Sequence, residues 1–153
     1  MSFHFQGLPF EQFAPLFALS DAELEARGFR RMVAGAGDAL PCRISLEDAD
    51  PGEELLLINY EHQPAHTPYR AKGPIFVSKH GSRFDGTEVP PALRARLLSL
   101  RAYDKDGNIV DADVVHGEEV EPVLERLFAR ADISYIHVHY ARRGCFAALV
   151  ERA

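Results

Sequence analysis

The chain has 153 residues, is 46% apolar and carries a formal net charge of −6. That length suits one domain over residues 1–153, able to bury roughly 68–70% of its unfolded surface without disulfides or structural metal. The acidic balance argues against nucleic acid and anionic membrane as partners, and no apolar run is long enough to span a bilayer. The opening MSFHFQGLPFEQF lacks the basic-then-apolar pattern of a secretion signal, so the expected compartment is the cytoplasm, where Cys42 and Cys145 are thiols. The 14 Arg against 3 Lys are read as coding bias, not as functional evidence.

In chain order, Phe3 and Phe5 alternate with His4 as in a short strand. Phe10, Phe13 and Phe17 recur at helical spacing in a piece that Pro15 keeps short. Ser20-Asp21-Ala22-Glu23 reads as a capping box, and the helix it opens ends at Gly28. A short strand is expected over 30–34. A second is expected over 42–46, with Cys42, Ile44 and Leu46 on one face and Arg43 and Ser45 on the other. The acidic stretch 47–52 is a turn. The continuous apolar run within 55–60 predicts a strand covered on both faces, and 75–78 predicts another.

Pro90 and Pro91 open a short helical turn. Strands over 97–103 and 109–115 are joined by Asp104-Lys105-Asp106-Gly107-Asn108, a hairpin turn whose spacing does not fit a calcium loop. The strongest helix runs over 117–130, with Val120, Val123, Leu124, Leu127 and Phe128 as its apolar stripe and Glu118, Glu119 and Glu121 near its start. Two strands, 135–141 and 145–151, close the chain around Arg142-Arg143-Gly144. The predicted fold is α+β: a mainly antiparallel sheet of about six to eight strands with two or three helices packed on it.

Four blocks, PCRISLEDA, NYEHQPAHTPYRAKGPIFV, AYDKDGNIVDADVV and YIHVHYARRGCFAALVER, together resemble a bacterial family, the domain of unknown function numbered 1203. The likeness spans nearly the whole chain. It implies a bacterial single-domain protein of this length and brings no reaction, cofactor or partner, so the chemistry rests on the residues.

The richest stretch is 59–77, which crosses Pro64, Pro68 and Pro74 and carries Asn59, Glu61, His62, His66, Tyr69, Arg70 and Lys72. Its 59–72 part is expected to be a rigid loop, in which the i, i+4 pairing of helical zinc sites is unavailable. His137 and His139, two apart on a strand, point to one face together with Tyr135. The leading expectation is a small-molecule or metal site built from the 59–72 loop and the 135–141 strand. His137, His139, His62 and His66 would hold a divalent transition metal such as zinc, with Glu61 and His62 catalytic, as in a metal-dependent hydrolase.

The alternative is a non-metal binding module in which Asn59, Tyr69, Arg70 and Lys72 hold a small anionic molecule and Arg142 and Arg143 border the mouth. Against these stand plainer readings. His137 and His139 can face solvent, Arg70 can pair with Glu61, and the protein can be a structural or interaction module. A nucleophilic Cys145 served by a strand histidine is disfavoured by hairpin parity, which sets Cys145 opposite Tyr140 on the other face. His4, His80 and His116 stand alone.

Overall fold

The computed structural model describes residues 2–79 and 81–153, so His80 lies outside the described residues. They form an α+β fold dominated by sheet. The strands are β1 (Phe3–Gln6), β2 (Arg30–Val33), β3 (Glu54–Gln63), β4 (Ala71–Ser78), β5 (Asp85–Gly86), β6 (Leu97–Tyr103), β7 (Ile109–His116), β8 (Tyr135–Tyr140) and β9 (Phe146–Arg152). The helices are α1 (Ala14–Phe17), α2 (Asp21–Ala26), α3 (Pro91–Arg94) and α4 (Val120–Phe128). Six strands form one sheet in the order β5-β1-β9-β8-β6-β7, and three form a second, β2-β3-β4. Every pair of neighbouring strands is antiparallel.

The capping box forms as its spacing requires: Glu23 N donates to Ser20 Oγ at 3.1 Å, and Ser20 N to Glu23 Oε1 at 3.3 Å. α4 presents Val120, Leu124, Leu127 and Phe128 to one face of the six-stranded sheet, against Leu98, Leu100, Ile136, Val138 and Val150. Burying each leucine-sized side chain there contributes about 1.5–3 kcal/mol. The three-stranded sheet has its own core. Leu56, Ile58, Ile75 and Val77 pack with Phe13 and Leu24 from the N-terminal helices, and Leu55 packs on the opposite face of β3 with Ala34 and Ala49. The unbroken apolar run of β3 is therefore covered on both sides. No helix among the described residues is long and apolar enough to cross a membrane.

Two local expectations are corrected. Residues 42–46 do not form a strand. Cys42 makes an isolated bridge to Phe76, the chain turns so that Leu46 N donates to Cys42 O at 3.1 Å, and Leu46 takes a φ of 56°. Cys42, Arg43, Ile44 and Leu46 are all buried, so the expected inward and outward alternation is lost. The backbone finds its partners elsewhere: Arg43 N donates to Phe76 O, and Arg43 O accepts from Leu8 N.

Residues 59–72 are not a continuous loop. β3 runs to Gln63 and β4 starts at Ala71, leaving only 64–70 as a turn. Pro74 is accommodated because β4 is an edge strand, whose outward side needs no N–H donor.

Candidate functional site

β3 positions the first site through its parity. Leu56, Ile58 and Tyr60 share a face, and His62 continues it beyond the core. The register slips between Tyr60, opposite Gly73, and Gln63, opposite Ala71. This bulge lets the consecutive residues His62 and Gln63 both reach the same face of β8. Gln63 Nε2 donates to the Tyr135 hydroxyl at 2.8 Å.

The turn beyond is tied to the β6–β7 turn, where Thr67 Oγ1 donates to Gly107 O at 3.1 Å. Gly107 has a φ of +88°, and a Cβ there would stand 2.4 Å from Ala65 Cβ. The hairpin tip can approach this closely only over a glycine.

The result brings three of the expected imidazoles together. Ring centroids lie 4.9 Å apart for His62 and His139, 6.0 Å for His62 and His137, and 6.5 Å for His137 and His139. Phe146 caps the group at 5.4 Å from His62, 5.1 Å from His137 and 5.9 Å from His139. His137 and His139 are 5% and 1% exposed. His139 Nδ1 lies 2.9 Å from Gly144 O, which accepts its N–H and leaves Nε2 as the lone-pair nitrogen. Four buried ring nitrogens, both of His62, Nδ1 of His137 and Nε2 of His139, have no hydrogen-bond partner among the described residues.

Burial is the chief cause of the electrostatic state. It holds both His137 and His139 down to about 3; at His137 the neighbouring His139 and His62 add to it, and Arg101, which pairs in register with His137, adds further at both. For His139 the Gly144 carbonyl partly opposes this. His62 is lowered as well, by burial and then by Arg101. All three are neutral at pH 7, the form that ligates metals. As the side chains stand, no group of three or more His, Cys, Asp and Glu among the described residues is arranged to hold a metal ion.

The other expected site residues lie elsewhere. His66 is exposed on the 64–70 turn and has no ring contact with the three imidazoles. Asn59, Tyr69, Arg70 and Lys72 are exposed. Arg70 Nε donates to Glu61 Oε2 at 3.1 Å, so the anionic mouth expected around Arg70 is an internal ion pair on the surface. Glu61 is thereby engaged on the exposed side by Arg70.

On the other side of the β8–β9 turn lies a cavity of about 550 Å³ that the sequence did not reveal. Arg43, Arg96, Arg142, Arg143, Tyr140 and Cys145 line it. None of these lie in the 59–72 stretch. Arg43, read as the outer face of a strand, is 1% exposed. Only its placement between the expected core residues Cys42 and Ile44 hinted at that.

Residues 39–152 match the family described as "Protein of unknown function (DUF1203)". The chain belongs to that family. The match covers β3 to β9, and with them every residue of the histidine cluster and of the arginine cavity. No curated protein and no solved structure matches the chain.

Proposed function

We propose that His62, His137 and His139 form a binding site for a divalent transition metal, zinc first among the candidates. The observation that carries this reading is the set of four buried ring nitrogens without partners among the described residues, on three adjoining neutral imidazoles. Leaving a buried polar atom unsatisfied costs about 1–3 kcal/mol; each neutral imidazole offers one lone pair, and one ion would meet three of them at once. Three histidines and an open position are the ligand set of catalytic zinc centres. The Gly144 carbonyl on His139 Nδ1 supplies the orientation that such ligands require.

The spacing also fits. A triangle with sides of 4.9, 6.0 and 6.5 Å has its centre roughly 3.4 Å from each ring, near a Zn–N bond of about 2.0–2.1 Å plus the ring radius. Binding requires the nitrogens to turn inward. His62 has no side-chain hydrogen-bond partner among the described residues to hold its ring in place. A water in the fourth position would make the centre hydrolytic in class, with the metal rather than Glu61 activating it.

Cobalt(II) titration of metal-stripped protein tests the reading through the visible absorption of the bound ion. One equivalent should bind, binding should vanish in His139→Ala and His62→Ala, and it should persist in His66→Ala. Arg101→Gln should tighten it by removing the nearby positive charge. Absence of uptake, or uptake indifferent to both cluster substitutions, would mean that water or packing alone occupies the cluster.

A further inference from the structure

The cavity beyond the β8–β9 turn has no part in the metal reading and stands on separate observations. Arg43 rises from the 41–46 turn into the protein, where Nε donates to Phe146 O at 2.7 Å and Nη1 to Pro41 O at 2.5 Å. Among the described residues it makes no ion pair. A guanidinium does not give up its proton at neutral pH, and an ion buried without a counter-charge is costly. Burial pushes its pKa down, against the pull of Tyr140 and Cys145. Two carbonyl oxygens soften that cost without supplying a negative charge.

The surroundings repeat the pattern. The Tyr140 ring lies against both guanidiniums, 5.0 Å from Arg43 Cζ and 5.2 Å from Arg96 Cζ. Its hydroxyl is buried and has no partner among the described residues. Burial raises it to about 12, so it is an O–H donor at neutral pH. Arg142 and Arg143 stand exposed at the rim without ion pairs among the described residues. Arg96 alone is compensated, by Asp48 at 2.8 Å.

Among the described residues no Asp or Glu lines the cavity, although the chain as a whole carries a net charge of −6. A second cavity, of about 660 Å³, is by contrast walled by Glu47, Asp48, Asp50, Glu53 and Asp85. The arginines thus line one open cavity, whereas nucleic acid would require a basic face. The remaining wall is apolar, with Leu40, Pro41, Phe76 and Leu97 among its residues.

We infer that this cavity binds a small organic oxyanion, a phosphate monoester or a carboxylate carried on an apolar body. Arg43 is the buried anchor, the Tyr140 hydroxyl a second donor, and Arg142 and Arg143 hold the anion at the rim. Guanidinium forks suit both anions in bidentate geometry. The apolar wall accounts for preferring an ester or aryl acid to the bare ion.

Calorimetric titration of the full chain in EDTA with inorganic phosphate, phenyl phosphate and benzoate tests this, since chelation removes any contribution from the histidine site. Phenyl phosphate or benzoate should bind at least several-fold more tightly than inorganic phosphate, and the tighter of the two names the anion. Arg143→Ala and Arg142→Ala, both on the exposed turn and expected to fold, should each weaken it several-fold, and Arg43→Met by tenfold or more. Added salt should weaken binding throughout. If Arg43→Met does not fold, the two turn variants decide the matter. No binding of any probe at millimolar concentration, equal binding of bare phosphate, or binding unchanged in the turn variants would overturn the inference.

Discussion

Strand β8 separates two environments that treat buried nitrogen differently. On one face His137 and His139 meet His62. On the other Tyr140 meets Arg43. Residues 144–146 serve both sides: Gly144 O accepts from His139, Phe146 O accepts from Arg43, and the Phe146 ring lies on the imidazoles. Burial removes the charge from histidine at modest cost, because its ordinary pKa is already near neutrality. It cannot do so for arginine. The same degree of enclosure therefore leaves neutral lone pairs on one face and an uncompensated cation on the other. The first arrangement suits a metal ion and the second suits an anion.

The sharpest way to break the comparison is to acidify. The folded values of His137 and His139, near 3, lie below the ordinary 6.5, so between these limits the unfolded chain binds more protons. Their contribution to stability is complete above pH 6.5 and is lost as pH falls toward 3. By pH 5 the loss should reach on the order of 4 kcal/mol for the pair, at about 1.4 kcal/mol per unit and group. Urea denaturation across pH 7.5 to 5 measures it, and a His137→Phe, His139→Phe variant should flatten the slope. An unchanged midpoint in the wild type would mean that the imidazoles are exposed.

Arg43→Ala should cost about 2–4 kcal/mol, because it strands the carbonyls of Pro41 and Phe146 and leaves a cavity, losses that outweigh the relief of removing an uncompensated cation. Its measure is the shift in the urea midpoint. A neutral result would place the guanidinium outside the interior. Gly107→Ala should cost about 1–3 kcal/mol by forcing a left-handed φ and a clash with Ala65, and should loosen the hairpin that delivers His62. Cobalt affinity should fall with it. Arg70→Ala, on an exposed pair with Glu61, should cost only about 0–1 kcal/mol and change neither binding activity.

These differences also explain what could be read from the chain alone. The shared face of His137 and His139 follows from the two-residue period of a strand, and Cys145 does stand opposite Tyr140, with Tyr140 N donating to Cys145 O at 2.9 Å. The arrival of His62 was not legible in detail. Three prolines suggested a loop, whereas Pro64 follows the end of β3, Pro68 lies in the turn and Pro74 sits on an edge strand. The bulge that directs His62 and Gln63 together has no signature of its own in the sequence. Arg43 was hidden for a different reason. Alternating residue types over five positions describe a strand and a buried turn equally well, and only contacts with β4, β9 and the N-terminal segment decide between them.

The most direct test is a single experiment: long-range proton–nitrogen NMR of the histidine rings at pH 5.5, before and after one equivalent of zinc. The account predicts neutral rings for His137 and His139 at that pH, and a shift of one ring nitrogen on each of His62, His137 and His139 when zinc is added. Protonated rings at pH 5.5, or spectra that zinc leaves unchanged at those three residues, would contradict it.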